Sequence, residues 1–169
     1  MSDHDITIKI NGVARSGRVS ARTTLADFLR DDCRLTGTHI GCEHGICGAC
    51  SVEFDGRPVR SCLMYAVQAD GHEVTTVEGL AGEHGQLSVL QDAICETHAL
   101  QCGYCTPAML ISAQSLLNQT LDPSDEQIRE ALSANICRCT GYAQIFQAVR
   151  LAAQRLREAG GVAKVASHV

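Results

Sequence analysis

Eight of the ten cysteines in this 169-residue chain fall into two sets of four. Cys42, Cys47 and Cys50 read C-x4-C-x2-C with Cys62 as a more distant fourth, the plant-type ligand spacing for a [2Fe–2S] cluster. Cys102, Cys105, Cys137 and Cys139 read C-x2-C…C-x-C. Each set supplies the four thiolates that one such cluster takes. The fold must therefore bring distant residues together twice, and the spacing predicts two iron–sulfur clusters that move single electrons.

Other uses of cysteine fit less well. Disulfide scaffolds are usually shorter, secreted and poor in core residues, whereas 45% of this chain is hydrophobic. A thiol redox pair at Cys47-x-x-Cys50 or Cys102-x-x-Cys105 leaves the other six cysteines of the two sets unexplained. Structural zinc is the stronger rival, because zinc sites built from four cysteines also use C-x2-C spacing. The glycine-bearing C-x4-C-x2-C loop is more specific than that, so zinc stays more open for the second set taken alone. His39 and His44 lie near the first set, and a Rieske centre would use two histidines. With four cysteines already present, both are read as solvent-facing or as supports for the ligand loop. Cys33 and Cys95 stand outside both sets in apolar helical settings and are read as buried structural thiols. Arg138, between two ligands, either offsets cluster charge or is an ordinary exposed arginine.

Composition removes several function classes. The net charge of −5 lacks the basic footprint of a nucleic-acid binder. With no Trp, three Phe and three Tyr, there is no base-stacking platform. No apolar run approaches the about 20 residues of a membrane span. The start, Met1-Ser2-Asp3-His4-Asp5, is polar and acidic, unlike a secretory signal, and no twin-arginine signal is present. The expectation is a cytoplasmic protein, unless it is exported as a passenger with a partner.

The first half reads as strands and turns. Ile6, Ile8 and Ile10 alternate with polar residues as one face of a strand. Asn11-Gly12 suits a tight hairpin, with Val13 to Val19 returning. Thr23 or Thr24 caps a short helix with Leu25, Phe28 and Leu29 as its apolar stripe. After the cysteine loop, Ser51 to Phe54 and Arg57 to Val59 pair across Asp55-Gly56, and a last strand covers Glu73 to Val77. The second half reads as helices. One begins at Ser88 and carries Val89, Leu90, Ala93 and Ile94. Thr106 caps a second with Pro107 at its first position. Ser124-x-x-Gln127 is a capping box opening a third. A fourth starts near Gly141 or Tyr142, carries Ile145, Val149, Ala152 and Leu156, and stops at Gly160-Gly161. This predicts an α+β domain over residues 1–80, a four-helix domain over 81–160, and a flexible tail over 161–169.

A [2Fe–2S] cluster held by four thiolates is a dianion that gains a further negative charge on reduction. Its cradle needs N–H groups aimed at sulfur and a backbone that comes close. Gly41, Gly45 and Gly48 sit beside the first ligands, where glycine lets the loop adopt positive φ and turn N–H groups inward. Cys102 and Cys105 precede one predicted helix, and Cys137 and Cys139 another. Helix N-termini stabilise thiolates there.

Three segments carry a specific resemblance: Gly41-Cys42-Glu43-His44-Gly45-Ile46-Cys47-Gly48-Ala49-Cys50, Gln101-Cys102-Gly103-Tyr104-Cys105-Thr106-Pro107 and Asn135-Ile136-Cys137-Arg138-Cys139-Thr140-Gly141-Tyr142. Together, with 31 residues between Cys105 and Cys137, they resemble the iron–sulfur subunit of the molybdenum hydroxylases, the xanthine oxidase family, over nearly the whole chain. The resemblance implies an N-terminal β-grasp domain like plant ferredoxin and a C-terminal four-helix-bundle domain, each with one [2Fe–2S] cluster. It implies a large molybdopterin-binding partner, with the pterin as its cytosine dinucleotide, and a medium FAD-binding partner, assembled as a dimer of heterotrimers. Electrons from carbon hydroxylation at molybdenum would pass the helical-domain cluster, then the β-grasp cluster, then FAD. Gln101 and Cys139 match positions that contact the pterin. N-heteroaromatic compounds, purines, aldehydes and carbon monoxide are substrates within the family. A free-standing two-cluster ferredoxin-like carrier is the alternative.

Overall fold

The computed structural model describes residues 3–82 and 85–160. The predicted tail, residues 161–169, and the Gly161 half of the predicted stop lie outside them.

Strand β1 (Asp3–Ile10) buries Ile6, Ile8 and Ile10 and pairs antiparallel with β2 (Val13–Ser20). The turn between them holds Asn11 and Gly12 at φ 50° and 80°, as a hairpin that follows the strand twist requires. Helix α1 (Leu25–Asp27) is capped by the Thr24 side chain, which accepts from Asp27 N, and runs into one wide π turn over Phe28–Asp32. It lays Leu25, Phe28 and Leu29 on the sheet. Strands β3 (Ser51–Phe54) and β4 (Arg57–Arg60) form the second hairpin. The last strand, β5 (Glu73–Thr75), is shorter than the sequence suggests, because Val77 joins a 3₁₀ turn over Val77–Leu80. β5 pairs parallel with β1 and antiparallel with β3, giving a mixed sheet of order β2-β1-β5-β3-β4. This is the expected β-grasp arrangement.

Four longer helices follow: α2 (Val89–Glu96), α3 (Thr106–Gln119), α4 (Asp125–Ser133) and α5 (Ala143–Glu158). A capping box at Ser124 with Gln127 starts α4, as its sequence predicts, and α2 starts at Ser88 as expected, with an unforeseen box to Gln91. At α3 the expectation fails: Thr106 is already helical, Cys105 is the cap residue, and its side chain makes no capping bond. The cysteine at this position is turned to the thiol cluster instead. Helix α5 opens from Tyr142, whose φ of 68° is left-handed.

Two apolar cores result. One lies between the sheet and α1, and the other within the bundle around Leu90, Met109, Leu117, Ile128, Leu132, Ile145 and Val149. Val77 and Leu80 already pack into the helical core. Helix α3 crosses β3 and β4, so the two units meet along one seam. Buried polar side chains concentrate there: Ser51, Ser112, Ser115 and Asn135.

Candidate metal centres

The first cysteine set lies on the loop between α1 and β3, with Cys62 brought in by the 3₁₀ turn after β4. Its thiols meet in pairs. Cys42 is hydrogen-bonded to Cys47 and Cys62 to Cys50, while the charges of Cys50 and Cys42 both bear on Cys62. The loop turns donors inward as a charged sulfur cradle needs. Cys47 N donates to Cys42 Sγ over 3.3 Å and His44 N over 3.4 Å. The backbone N–H of Cys47, then that of His44, then the Cys47 side chain, pull the Cys42 thiol down to about 6. Cys62 is pushed up to about 11, first by burial and then by the thiol of Cys50.

Two glycines behave as expected and one does not. Gly45 and Gly48 have φ of 74° and 75°. Gly41 is not left-handed, and its lack of a side chain serves another end: a Cβ there would stand 3.1 Å from Cys47 Sγ. Glu43 takes a left-handed φ of 57° without being glycine.

In the second set Cys105 ends the approach to α3, and Cys137 and Cys139 precede α5. Cys139 Sγ lies 3.6 Å from Cys102 Sγ, and Cys105 is hydrogen-bonded to Cys137. Burial, then the Cys137 thiol, push Cys105 up to about 12. Burial opposes ionisation of Cys137 as well. The hydroxyl and N–H of Thr140, at 3.1 and 3.5 Å from its sulfur, outweigh that and lower its pKa. Cys139 is raised chiefly by its bond to Cys102. Cys102, Cys139 and Gln101 are exposed, so this set has one edge open to solvent.

Both arrangements fit a dinuclear cluster, which takes its ligands two to each iron. Among the described residues, no three His, Cys, Asp or Glu side chains gather as a single metal ion would need. Of the remaining cysteines, Cys33 packs against the β-grasp core, and its pKa is raised first by burial. Cys95 is exposed, contrary to expectation, because it falls on the outer face of α2 beside Glu96.

Three residues beside the ligands have roles that their sequence context left unassigned. Thr140 donates to the Cys137 sulfur while accepting from Tyr142 N at 3.1 Å. The Tyr142 hydroxyl accepts from Cys137 N at 2.8 Å and donates to Asn135 O at 3.2 Å. Asn135 reaches across the seam to Gly48 O at 2.9 Å. All are polar residues within a few positions of a ligand, which was the available signal. His39 supports the seam: it stacks on Tyr104 with ring centroids 4.6 Å apart, and its Nδ1 donates to Tyr104 O at 2.8 Å. His44 Nδ1 bonds its neighbour's Cys42 O, and Arg138 is exposed.

A β-grasp unit and a helical unit, each bringing its cysteine set together as two thiol pairs, define the class of two-cluster iron–sulfur proteins. The comparisons carry this further. A [2Fe–2S] iron–sulfur cluster binding domain model matches residues 8–81, and a second [2Fe–2S] binding domain model matches residues 76–150. The chain is 55% identical over 153 residues to the caffeine dehydrogenase subunit gamma of Pseudomonas sp. (strain CBB1), covering 89% of this chain and 91% of that one. It is 52% identical over 145 residues to the nicotine 6-hydroxylase small subunit of Paenarthrobacter nicotinovorans, covering 86% and 87%. Among solved structures, quinoline 2-oxidoreductase from Pseudomonas putida 86 superposes with a TM-score of 0.89 at 46% identity, covering 96% of this chain and all of the matched chain (100%). The chain belongs to the molybdenum hydroxylase family, as one of its small iron–sulfur subunits. It serves an oxidoreductase whose catalytic site is on another subunit. Among the described residues no helix is long and apolar enough to cross a membrane.

Proposed function

We propose that Cys42, Cys47, Cys50 and Cys62 hold one [2Fe–2S] cluster and Cys102, Cys105, Cys137 and Cys139 a second. The chain then relays electrons from a molybdopterin-binding subunit to an FAD-binding subunit. The carrying observation is the pairwise meeting of all eight thiols on the two sides of one seam. When bound, the clusters supply two one-electron sites.

The chain's residues divide the remaining work. N–H groups of His44 and Cys47 and the Thr140 hydroxyl offset the negative charge at sulfur. The exposed edge at Gln101, Cys102 and Cys139 suits approach of the pterin, as the cytosine dinucleotide, held by the large subunit. Ile46 and Leu63, 70% and 61% exposed beside the first set, offer an apolar rim for the flavin subunit. The assembly is read as a cytoplasmic dimer of heterotrimers. Relatives named for caffeine, nicotine and quinoline support an N-heteroaromatic substrate, bound on the large subunit.

Purification from the native source tests the assignment. The chain should co-purify with a molybdenum-containing chain and FAD, and the complex should reduce a dye with N-heteroaromatic compounds. A brown-red chain that purifies alone from gentle lysates would favour the free-standing carrier. Turnover of aldehydes alone would overturn the substrate class.

A further inference from the structure

The two thiol sets touch through the backbone. Ile136 N, next to Cys137, donates to the carbonyl of Cys47 over 2.8 Å. Another clasp across the seam, Tyr104 hydroxyl to Ile40 O at 2.8 Å, reaches the first set only through the further residue Gly41. We propose that Asn135 is a positioning residue for the relay: its amide seats the loop of Cys47 on the loop of Cys137, so that the Ile136 N–H···O=C Cys47 bond is the electronic contact between the two ligand sets.

The inference rests on the two-cluster reading above. Asn135 is 1% exposed and its amide is fully engaged. Nδ2 donates to Gly48 O at 2.9 Å and to Ser51 Oγ at 3.2 Å, and Oδ1 accepts from Ser112 Oγ at 2.6 Å. Arg60 closes the ring from β4, bonding Ser51 Oγ at 2.6 Å and Ala134 O. One buried amide thus ties α3, the β-grasp loop and the approach to α5. The fit leaves no slack. A Cβ on Gly48 would press into the Ala134 carbonyl and stand 2.8 Å from Asn135 Nδ2. Gly48 and Asn135 directly adjoin Cys47 and Ile136, the two residues that make the contact. Gly48 O also accepts from Ser51 N and Ser51 Oγ, and Ser51 Oγ from Arg60, so what the Asn135 donor adds is the tie across the seam, and its removal frees the two loops to separate.

The test uses the complete chain in its assembled, cluster-loaded enzyme. Asn135→Asp keeps the size of the side chain and its acceptor for Ser112, but sets a carboxylate oxygen against the Gly48 carbonyl. This variant should keep iron and sulfide at the wild-type level. It should lose hydrogen-exchange protection at the Ile136 amide and weaken the mutual splitting of the EPR signals of the doubly reduced chain. Electron transfer between the clusters should slow about 10-fold, the lower end of what outer-shell changes cost a metal site's activity. Unchanged splitting and transfer in an iron-replete Asn135→Asp enzyme, with only a lower unfolding midpoint, would overturn the assignment. Should that variant not fold, Ser112→Ala, which removes a single bond to Asn135, is judged by the same splitting and rate. A wild-type chain with fewer than two clusters would overturn this inference and the two-cluster reading together, which separates that failure from the others.

Discussion

Of the groups that surround the candidate ligand sulfurs, Thr140 is the most economical. Its backbone and hydroxyl both reach Cys137 Sγ, and the hydroxyl also accepts from Tyr142 N, which orients its own proton toward sulfur. A hydrogen bond to a ligand sulfur favours the more negative, reduced state of a cluster. Thr140→Val keeps the shape and removes the hydroxyl. A neutral bond worth about 1 kcal/mol then corresponds to a potential lower by tens of millivolts for a one-electron couple. Redox titration of the two EPR signals should show one cluster shifted down and the other unmoved. A shift in both, or an upward shift, would contradict the role assigned to this hydroxyl.

At the scale of elements, strands and caps were legible because their signals are local. Alternating isoleucines, an Asn-Gly turn and the Ser124-x-x-Gln127 box act within a few residues, and each stands where the sequence suggests. What failed had tertiary causes. Thr106 loses the cap position of α3 to Cys105, and Val77 leaves β5 for a turn that packs on the helical core. Cys95 points outward although Ala93 and Ile94 just before it are buried. The two cysteine sets stand out in the sequence by their spacing, but the pairing of thiols and the Asn135 bridge join residues far apart in the chain. No periodicity encodes those contacts.

Strand β3 carries a testable cost. Glu53 is partly buried beside β5, and its pKa is raised, first by burial and then by Glu73. A carboxyl whose folded pKa lies above its unfolded one adds stability below the unfolded value, and this is lost as pH rises through the folded value. Wild-type stability should therefore suffer from Glu53 above the ordinary value of 4.5. Glu53→Gln should unfold at higher temperature than wild type at neutral pH, with the difference closing as pH falls toward 4.5. A difference that widens on acidification would reverse the sign and reject this account.

The whole molecule is two cores joined by a polar seam, across which the backbone of Cys47 in the first cysteine set meets Ile136 beside Cys137 of the second. Separate cores imply that each unit can keep its own cluster when the other is lost. The seam bond from Ile136 uses the Cys47 backbone, so it survives replacement of that side chain. Iron analysis and EPR of the dithionite-reduced chain, wild type beside Cys47→Ala, therefore test the central claim most directly. The wild type should hold the iron and sulfide of two [2Fe–2S] clusters and show two reduced signals, and Cys47→Ala should keep the helical-domain signal alone. Zinc in place of iron, a single wild-type signal, or loss of both signals in a folded Cys47→Ala chain would contradict it.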